Sequence, residues 1–247
     1  MISRQITPAW KVLDWDTNFF GFGVGMVLVA RLPVAELRRL LAEAREGGVT
    51  LVYWASDPTD LESQEAASVM GGCLVDRKTR YFKKTTGTSS AVVDELTPRI
   101  EEYQGQDSTP ALEALALQSG AFSRFRVDEK FPRERFEALY REWIRKSVNR
   151  QLADAILVAR DGDDLAGMVT VVRHQSIGEI GLLAVEGRIR GRRLGEALVH
   201  ASDRWFADHG CREWRVVTQG DNTPACRLYE KCGCSVMDVT FFYHFWL

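Results

Sequence analysis

One stretch constrains this chain more than any other: EIGLLAVEGRIRGRRLGEALVHASDRWFADHG, from Glu179 to Gly210. Its apolar run over 180–185 reads as a buried strand. Leu194, Ala197, Leu198, Ala201 and Trp205 then recur at helical spacing along one face, and Gly210 is placed to stop that helix. Between strand and helix lie Arg188, Arg190, Gly191, Arg192, Arg193 and Gly195. The first N–H groups of a helix have no internal partner, and the helix dipole is positive there. An Arg/Gly-rich turn at that point suits phosphate, with Gly191 and Gly195 admitting close approach and the arginines adding charge. A solvated basic turn is the plain alternative.

The 247 residues predict one large or two small domains, and 45% apolar content is enough for a real core. With 32 basic and 34 acidic residues the net charge is -2, so the basic turn is local. Neither nucleic acid nor an anionic membrane is favoured as a partner. No apolar run approaches the roughly 20 residues of a membrane span. The start, MISRQITPAWKVLDWD, lacks the apolar core of a signal peptide, so the cytoplasm is the expected compartment. Five cysteines, an odd number without a pairing framework, fit a reducing environment. Cys232-x-Cys234 is not a CxxC pair and His244 is the one histidine nearby, so no metal is expected and the cysteines read as small apolar fillers.

Taken in order, the N-terminal part reads as strand, helix, strand, helix, strand. The strands fall at 24–30, 51–55 and 73–84. The first helix opens at Pro33 with Leu37, Leu40, Leu41 and Ala44 inward; the second runs from a cap at Asp60 to Met70. Residues 15–21, WDTNFFG, read as a loop that either plugs its own core or touches a ligand. Residues 85–91, TTGTSSA, read as a linker, and 98–103 as a short strand or turn. Helices follow at 109–119 and 133–148, with the aromatic–arginine loop at 122–126 between them. Tyr140 and Trp143 on the second of these helices read as core. Residues 155–159 and 165–173 form a hairpin about the turn 161–164, extended by 179–185 into an antiparallel meander. After the basic-turn helix come a strand at 214–218, a helix capped by Asn222 with Pro224 in its first turn, and a long strand at 235–246. An internal echo accompanies this order: at an offset of 161, Gly72-Cys73 falls on Gly233-Cys234. The first copy has no Arg/Gly turn and no tyrosine matching Tyr229.

The turn Arg190-Gly191-Arg192-Arg193-Leu194-Gly195, preceded by Val185, and the run Asn222-Thr223-Pro224-Ala225-Cys226-Arg227-Leu228-Tyr229-Glu230-Lys231-Cys232-Gly233 resemble the GNAT family of acyl-CoA-dependent N-acyltransferases over roughly 125–247. The family turn reads Arg/Gln-x-x-Gly-x-Gly/Ala. Arg190 and Gly195 match it, Arg193 stands in place of its first glycine, and Cys234 stands where an aromatic is usual. The resemblance implies an α+β fold with a central mixed, mostly antiparallel sheet in residues 91–247. An N-terminal half-GNAT-like βαβαβ domain is implied in residues 1–90. It also implies acetyl-CoA as acyl donor, lying along Leu183, Ala184, Val185, Arg190, Gly191, Arg192, Arg193, Leu194, Gly195, Glu196, Asn222 and Cys226.

An amine attacking a thioester must be neutral, the carbonyl oxygen needs a donor, and the departing thiolate needs a proton. The resemblance assigns the acid to Tyr229. Glu179 is the implied base, acting directly or through water, with His174 as the other option. Residues 15–21, 123–126 and 180–184 further resemble the type that acetylates dTDP-linked 4-amino-4,6-dideoxy sugars, the dTDP-fucosamine acetyltransferase type. That implies a nucleotide-linked amino sugar as acceptor, with Arg124, Arg126 or Arg173 facing its diphosphate and Phe19 or Phe20 stacking on its base. Another small-molecule amine, a protein N-terminus and a non-catalytic acyl-CoA-binding module stay open, although Tyr229 and Asn222 argue against the last. A homodimer is among the states left open.

Overall fold

In the computed structural model, residues 8–86 and 99–247 are described. They fall into two units, one holding the described residues up to Lys78 together with Val239–Leu247, the other Thr79–Asp238. The domain boundary expected at residue 90 and the 87–91 part of the expected linker lie outside the described residues.

The first unit contains β1 (Trp10–Val12), α1 (Asp14–Phe20), β2 (Val24–Val27), α2 (Val34–Glu46), β3 (Leu51–Ser56) and α3 (Leu61–Val69). The start of β4 (Cys73–Lys84) and the end of β10 (Ser235–Trp246) complete it. The strands lie in the order β1-β2-β3-β10-β4, with β2 and β3 parallel and β3 and β10 antiparallel. Alternate residues of a strand face opposite sides. Val52, Trp54, Tyr243 and Phe245 accordingly pack on Leu37, Leu40, Leu41 and Ala44 of α2 and on Ala66 and Ala67 of α3. The segment 15–21 is a helix and not the expected loop. Gly21 ends it at φ +79, and Thr17 Oγ1 ties it down by accepting the Val24 N–H at 3.0 Å.

The second unit runs through β5 (Ile100–Glu102), α4 (Pro110–Ser119), α5 (Arg124–Val127), α6 (Arg133–Val148), β6 (Ala155–Asp161), β7 (Asp164–His174) and β8 (Ile177–Val185). A 3-10 turn at Gly187–Ile189, α7 (Leu194–Asp208), β9 (Glu213–Gln219) and α8 (Thr223–Lys231) follow. β6, β7 and β8 form the antiparallel meander, and β9 is parallel to β8. The result is a mixed α/β fold with a mostly antiparallel sheet. One sheet face, with Leu157, Ala159, Val169, Val171 and Ile180, packs under Leu194, Leu198, Val199 and Phe206 of α7. The other, with Ile156, Val158, Met168 and Ala184, packs under Leu112, Leu115 and Ala116 of α4 and Ile144 of α6. Truncating a fully buried leucine such as Leu198 costs about 2–5 kcal/mol.

Two expectations shift. The buried stripe of α7 includes Val199, Ser202, Asp203 and Phe206, whereas Ala197 and Trp205 are half-exposed. A search for apolar residues misses this because Asp203 is buried with its charge satisfied. It accepts from Trp214 Nε1 at 2.8 Å, Lys83 Nζ at 3.0 Å and Thr86 Oγ1 at 3.1 Å. Residues 124–127 form one helical turn in place of the expected loop.

The internal echo appears at the level of elements. β3, α3 and β4 repeat as β9, α8 and β10, with Leu61 to Thr223 and Cys73 to Ser235 giving an offset of 162 and not 161. In that register the left-handed glycine after each helix is Gly71 (φ +72) and Gly233 (φ +83). The helix N-caps are Asp60 and Asn222, and Ala67 stands where Tyr229 does. Among the described residues no helix is long and apolar enough to cross a membrane.

Candidate active site

The parallel ladder between β8 and β9 ends at Ile180 and Val216, yet β8 continues to Val185 and β9 to Gln219. The strands therefore part, leaving an open edge on β8. A bulge marks the parting. Gly181 and Leu182 together oppose Thr170 of β7, and Thr170 Oγ1 fills the gap by accepting the Leu182 N–H at 2.8 Å. The extra residue re-aims the side chains, so that Ile180, Leu183 and Val185 join the α7 core while Leu182 and Ala184 face α4. It also sorts the backbone. Leu182 donates toward β7, as does Glu186, to Ala166 O at 2.9 Å. By strand alternation the N–H groups of Leu183 and Val185 point to the open edge, and that of Ala184 into the β7 ladder.

β8 leads directly into the basic turn. Gly191 lies at φ +84 and Arg193 at φ +58, where it serves as N-cap of α7 without a capping side-chain bond. Arg193 thus holds the left-handed backbone that a glycine adopts freely, at a strain of about 1–2 kcal/mol. The first N–H groups of α7 keep no side-chain acceptor, which is the condition for holding an anion. Three arginines of the turn are engaged. Arg188 pairs with Glu186 at 3.2 Å, Arg190 Nε donates to Val185 O at 3.3 Å, and Arg192 lies 3.6 Å from Asp161. Arg193 has no such partner among the described residues. Glu196, in the first turn of α7, is balanced by Lys231 at 2.6 Å. A Cβ on Gly195 would lie 3.2 Å from Leu228 Cδ2, so the small residue lets α8 approach the buried end of α7, whose Leu194 is in the core.

α8 is capped by Asn222, whose Oδ1 accepts the Ala225 N–H at 3.3 Å, with Pro224 in the first turn. Cys226 Sγ donates to the carbonyls of Gln219 and Gly220, 3.6 and 3.9 Å away. Tyr229, 4% exposed, lies in the same core as Leu183, Val185 and Leu194. Burial pushes its phenol above the ordinary tyrosine range, and the thiols of Cys234, Cys232 and Cys226 add to the shift. It stays a proton carrier at any working pH. The ring of Tyr81, on β4, is 5.8 Å from that of Tyr229, and its hydroxyl donates to Glu230 Oε1 at 3.0 Å. Tyr81 carries no sequence signal, because its role depends on a contact across 149 residues.

Of the remaining expected residues, Glu179 adjoins the parting and the others lie elsewhere. Glu179 lies in the paired part of β8, half-exposed, 3.8 Å from His174. Its neighbour Gly178 abuts Phe206 in the last turn of α7. α7 is about 22 Å long, so Glu179 is far from the turn, yet it lies one residue before Ile180, where β8 parts from β9. Arg173 is at the far end, its Nη1 donating to His209 O at 3.3 Å beyond the C-terminus of α7. Phe20 is 1% exposed, packed edge-on against Phe19 at 5.4 Å, and Phe19 is stacked on Trp15 at 4.8 Å. Phe20 is therefore core and has no face to offer a base. Arg124 lies over the Phe125 ring at 4.7 Å. Arg126 is exposed and lines a cleft of about 580 Å³ with Phe125, Asp128, Phe131 and Arg133.

Comparison with known proteins adds four findings. The sequence pattern described as "Acetyltransferase (GNAT) family" matches residues 114–234. The dTDP-fucosamine acetyltransferase of Escherichia coli O6:H1 is 30% identical over 229 residues, 91% of this chain and 92% of that protein. A mycothiol acetyltransferase of Corynebacterium glutamicum (strain R) is 33% identical over 84 residues, 34% of this chain and 29% of that protein, so the match spans under a third of its length. Among solved structures, a GCN5-related N-acetyltransferase from Sphaerobacter thermophilus superposes with a TM-score of 0.59 at 16% identity, covering 96% of this chain and 75% of that one. At that identity the likeness is one of fold.

Proposed function

Because this chain belongs to the GNAT family of acetyltransferases, we propose that it moves an acetyl group from acetyl-CoA to the amine of a nucleotide-linked amino sugar of the dTDP-4-amino-4,6-dideoxyhexose type. The observation that carries the donor half is the parting of β8 from β9 beside the uncapped start of α7. An extended amide-bearing chain such as pantetheine can pair with the Leu183 and Val185 N–H groups as a third strand would. Its diphosphate would meet the first N–H groups of α7 and the Arg193 guanidinium. Both strand end and turn lie next to the core that holds Tyr229.

Tyr229 then acts as the acid for the thiolate. Its proton is in place before transfer, and opening the site to the donor relieves the burial that raises the phenol and so brings it toward the range from which a thiolate can be protonated. Arg173 has no part in this reading, for it stands beyond the C-terminus of α7; Glu179, one residue before the parting of β8 from β9, is the base. The amine gives up its proton through water to Glu179. For the acceptor, the carrying observation is the similarity across nearly the whole chain, both units included, to an enzyme that bears dTDP-fucosamine in its name. Arg126, at the 121–133 cleft, is the side chain suited to the acceptor's diphosphate. In the same reading residues 1–90 are a partial copy that binds no donor, and the protein works in the cytoplasm. Steady-state kinetics test this. Turnover with dTDP-4-amino-4,6-dideoxygalactose and acetyl-CoA is expected, and turnover only with amines that carry no nucleotide would replace the acceptor.

A further inference from the structure

We propose that Gln118 is a positioning residue for acyl transfer, holding the open end of β8 through the Val185 carbonyl; this rests on the acetyl-CoA reading above. Beyond Ile180 the strand pairs with β7 on one side, and among the described residues no strand pairs with it on the other. The N–H and C=O of one strand residue point to the same edge, so Val185 presents its carbonyl to the gap. A lone carbonyl there would compete for backbone donors of β9, and pairing would close the space the donor needs. Two side chains prevent this. Gln118 Nε2 and Arg190 Nε both donate to Val185 O, which fills both of its lone pairs.

The two donors differ in what holds them. Arg190 belongs to the basic turn, and an anion bound there competes for its guanidinium. Gln118 stands on α4, a helix capped by Thr109 Oγ1 on the Leu112 N–H at 3.2 Å and buried through Leu112, Leu115 and Ala116. It is outside the turn and half-buried. When the turn is occupied, Gln118 is the fixed anchor left on the strand end. Its hold sets the direction of the Leu183 and Val185 N–H groups, and so serves the acyl-bearing half of the donor and not the nucleotide half.

That division gives the test. Gln118→Met removes the amide donor at similar length, Gln118→Glu sets a carboxylate against the carbonyl, and Gln118→Lys restores a donor of similar reach. Calorimetry measures affinity for acetyl-CoA and, separately, for adenosine 3′,5′-bisphosphate, alongside kcat. Met and Glu variants are expected to lose about tenfold in acetyl-CoA affinity and in kcat. They should keep nucleotide affinity within about twofold, and the Lys variant should return toward the parent. Equal loss of both ligands marks a merely structural role and overturns the proposal, as does unchanged acetyl-CoA affinity or a Lys variant as weak as Met. A parent chain that binds the nucleotide but not acetyl-CoA overturns the donor reading and this inference with it.

Discussion

Asp60 and Asn222 head the two matching helices α3 and α8, and their side chains are used differently. Asn222 Oδ1 caps its own helix. Asp60 makes no cap bond and accepts from the Ser63 hydroxyl. Ser63 in turn accepts the Leu32 N–H at 2.9 Å, Trp54 Nε1 donates to Val29 O at 2.7 Å, and the Asp57 N–H to Ala30 O at 3.0 Å. The segment after β2 is thus tied down by its own unit, where the corresponding end of β8 is open. β2 also stops at Val27, where its ladder with β3 stops, so no strand end projects.

The first prediction follows from that contrast. Among its described residues the N-terminal unit has no parted strand end and no basic turn to offer, so calorimetry should count one acetyl-CoA per chain. A second site of comparable affinity would show that the tied segment opens.

Arg193→Gly should stabilise the free protein. Removing the left-handed strain gains about 1–2 kcal/mol, less part of the roughly 0.5–1 kcal/mol that glycine loses in chain entropy. Denaturant unfolding should show a higher midpoint at unchanged slope. A lower midpoint would mean the arginine makes a compensating contact.

Tyr229→Phe removes one hydroxyl and little volume, so folding and donor affinity should hardly change. If the phenol protonates the thiolate, kcat should fall by roughly 10²–10⁴ with KM little altered. A variant within about threefold of the parent, under 1 kcal/mol of barrier, returns Tyr229 to the role of a core residue.

Arg173→Ala should leave kcat/KM within about threefold, because its side chain stands beyond the C-terminus of α7. Glu179→Gln should lower kcat/KM by roughly 10²-fold or more, and a variant within about threefold would remove Glu179 as the base.

Alkaline pH should destabilise the fold through the thiols around Tyr229. Burial raises Cys232 from 9.0 to about 11 and Cys234 from 9.0 to about 12. The folded state therefore favours the neutral thiol. That stability is fully present below the unfolded value of 9.0 and is lost as pH rises through about 11 and about 12. Unfolding free energy measured from about pH 8 upward should fall, and the Cys232→Ala/Cys234→Ala protein should fall less steeply. Equal slopes would place the titration elsewhere.

Much of the framework was legible because it is local. The strand at 73–84, the helix at 133–148 and the strand at 235–246 coincide with β4, α6 and β10, since periodicity and end signals such as Pro132 agree there. The turn between β8 and α7 was legible for the same reason, as was the Asn222 cap. The segment 15–21 misled because aromatic residues beside Asp, Asn and Gly imitate a loop, while burial of Phe20 and the Thr17 bond favour a helix. Arg173 looked eligible because sequence distance from the turn says nothing about which end of a strand faces it.

By itself, then, the sequence determined the order of elements, the anion-suited turn and the echo of one strand–helix–strand unit in another, all properties of neighbours along the chain. Tertiary structure alone decided that β8 parts from β9 at Ile180, that Gln118 and Arg190 share the Val185 carbonyl, and that Tyr81 and Tyr229 lie side by side. Each of these is a choice between hydrogen-bond or packing partners far apart in sequence, and only the packed chain brings the competing partners within reach.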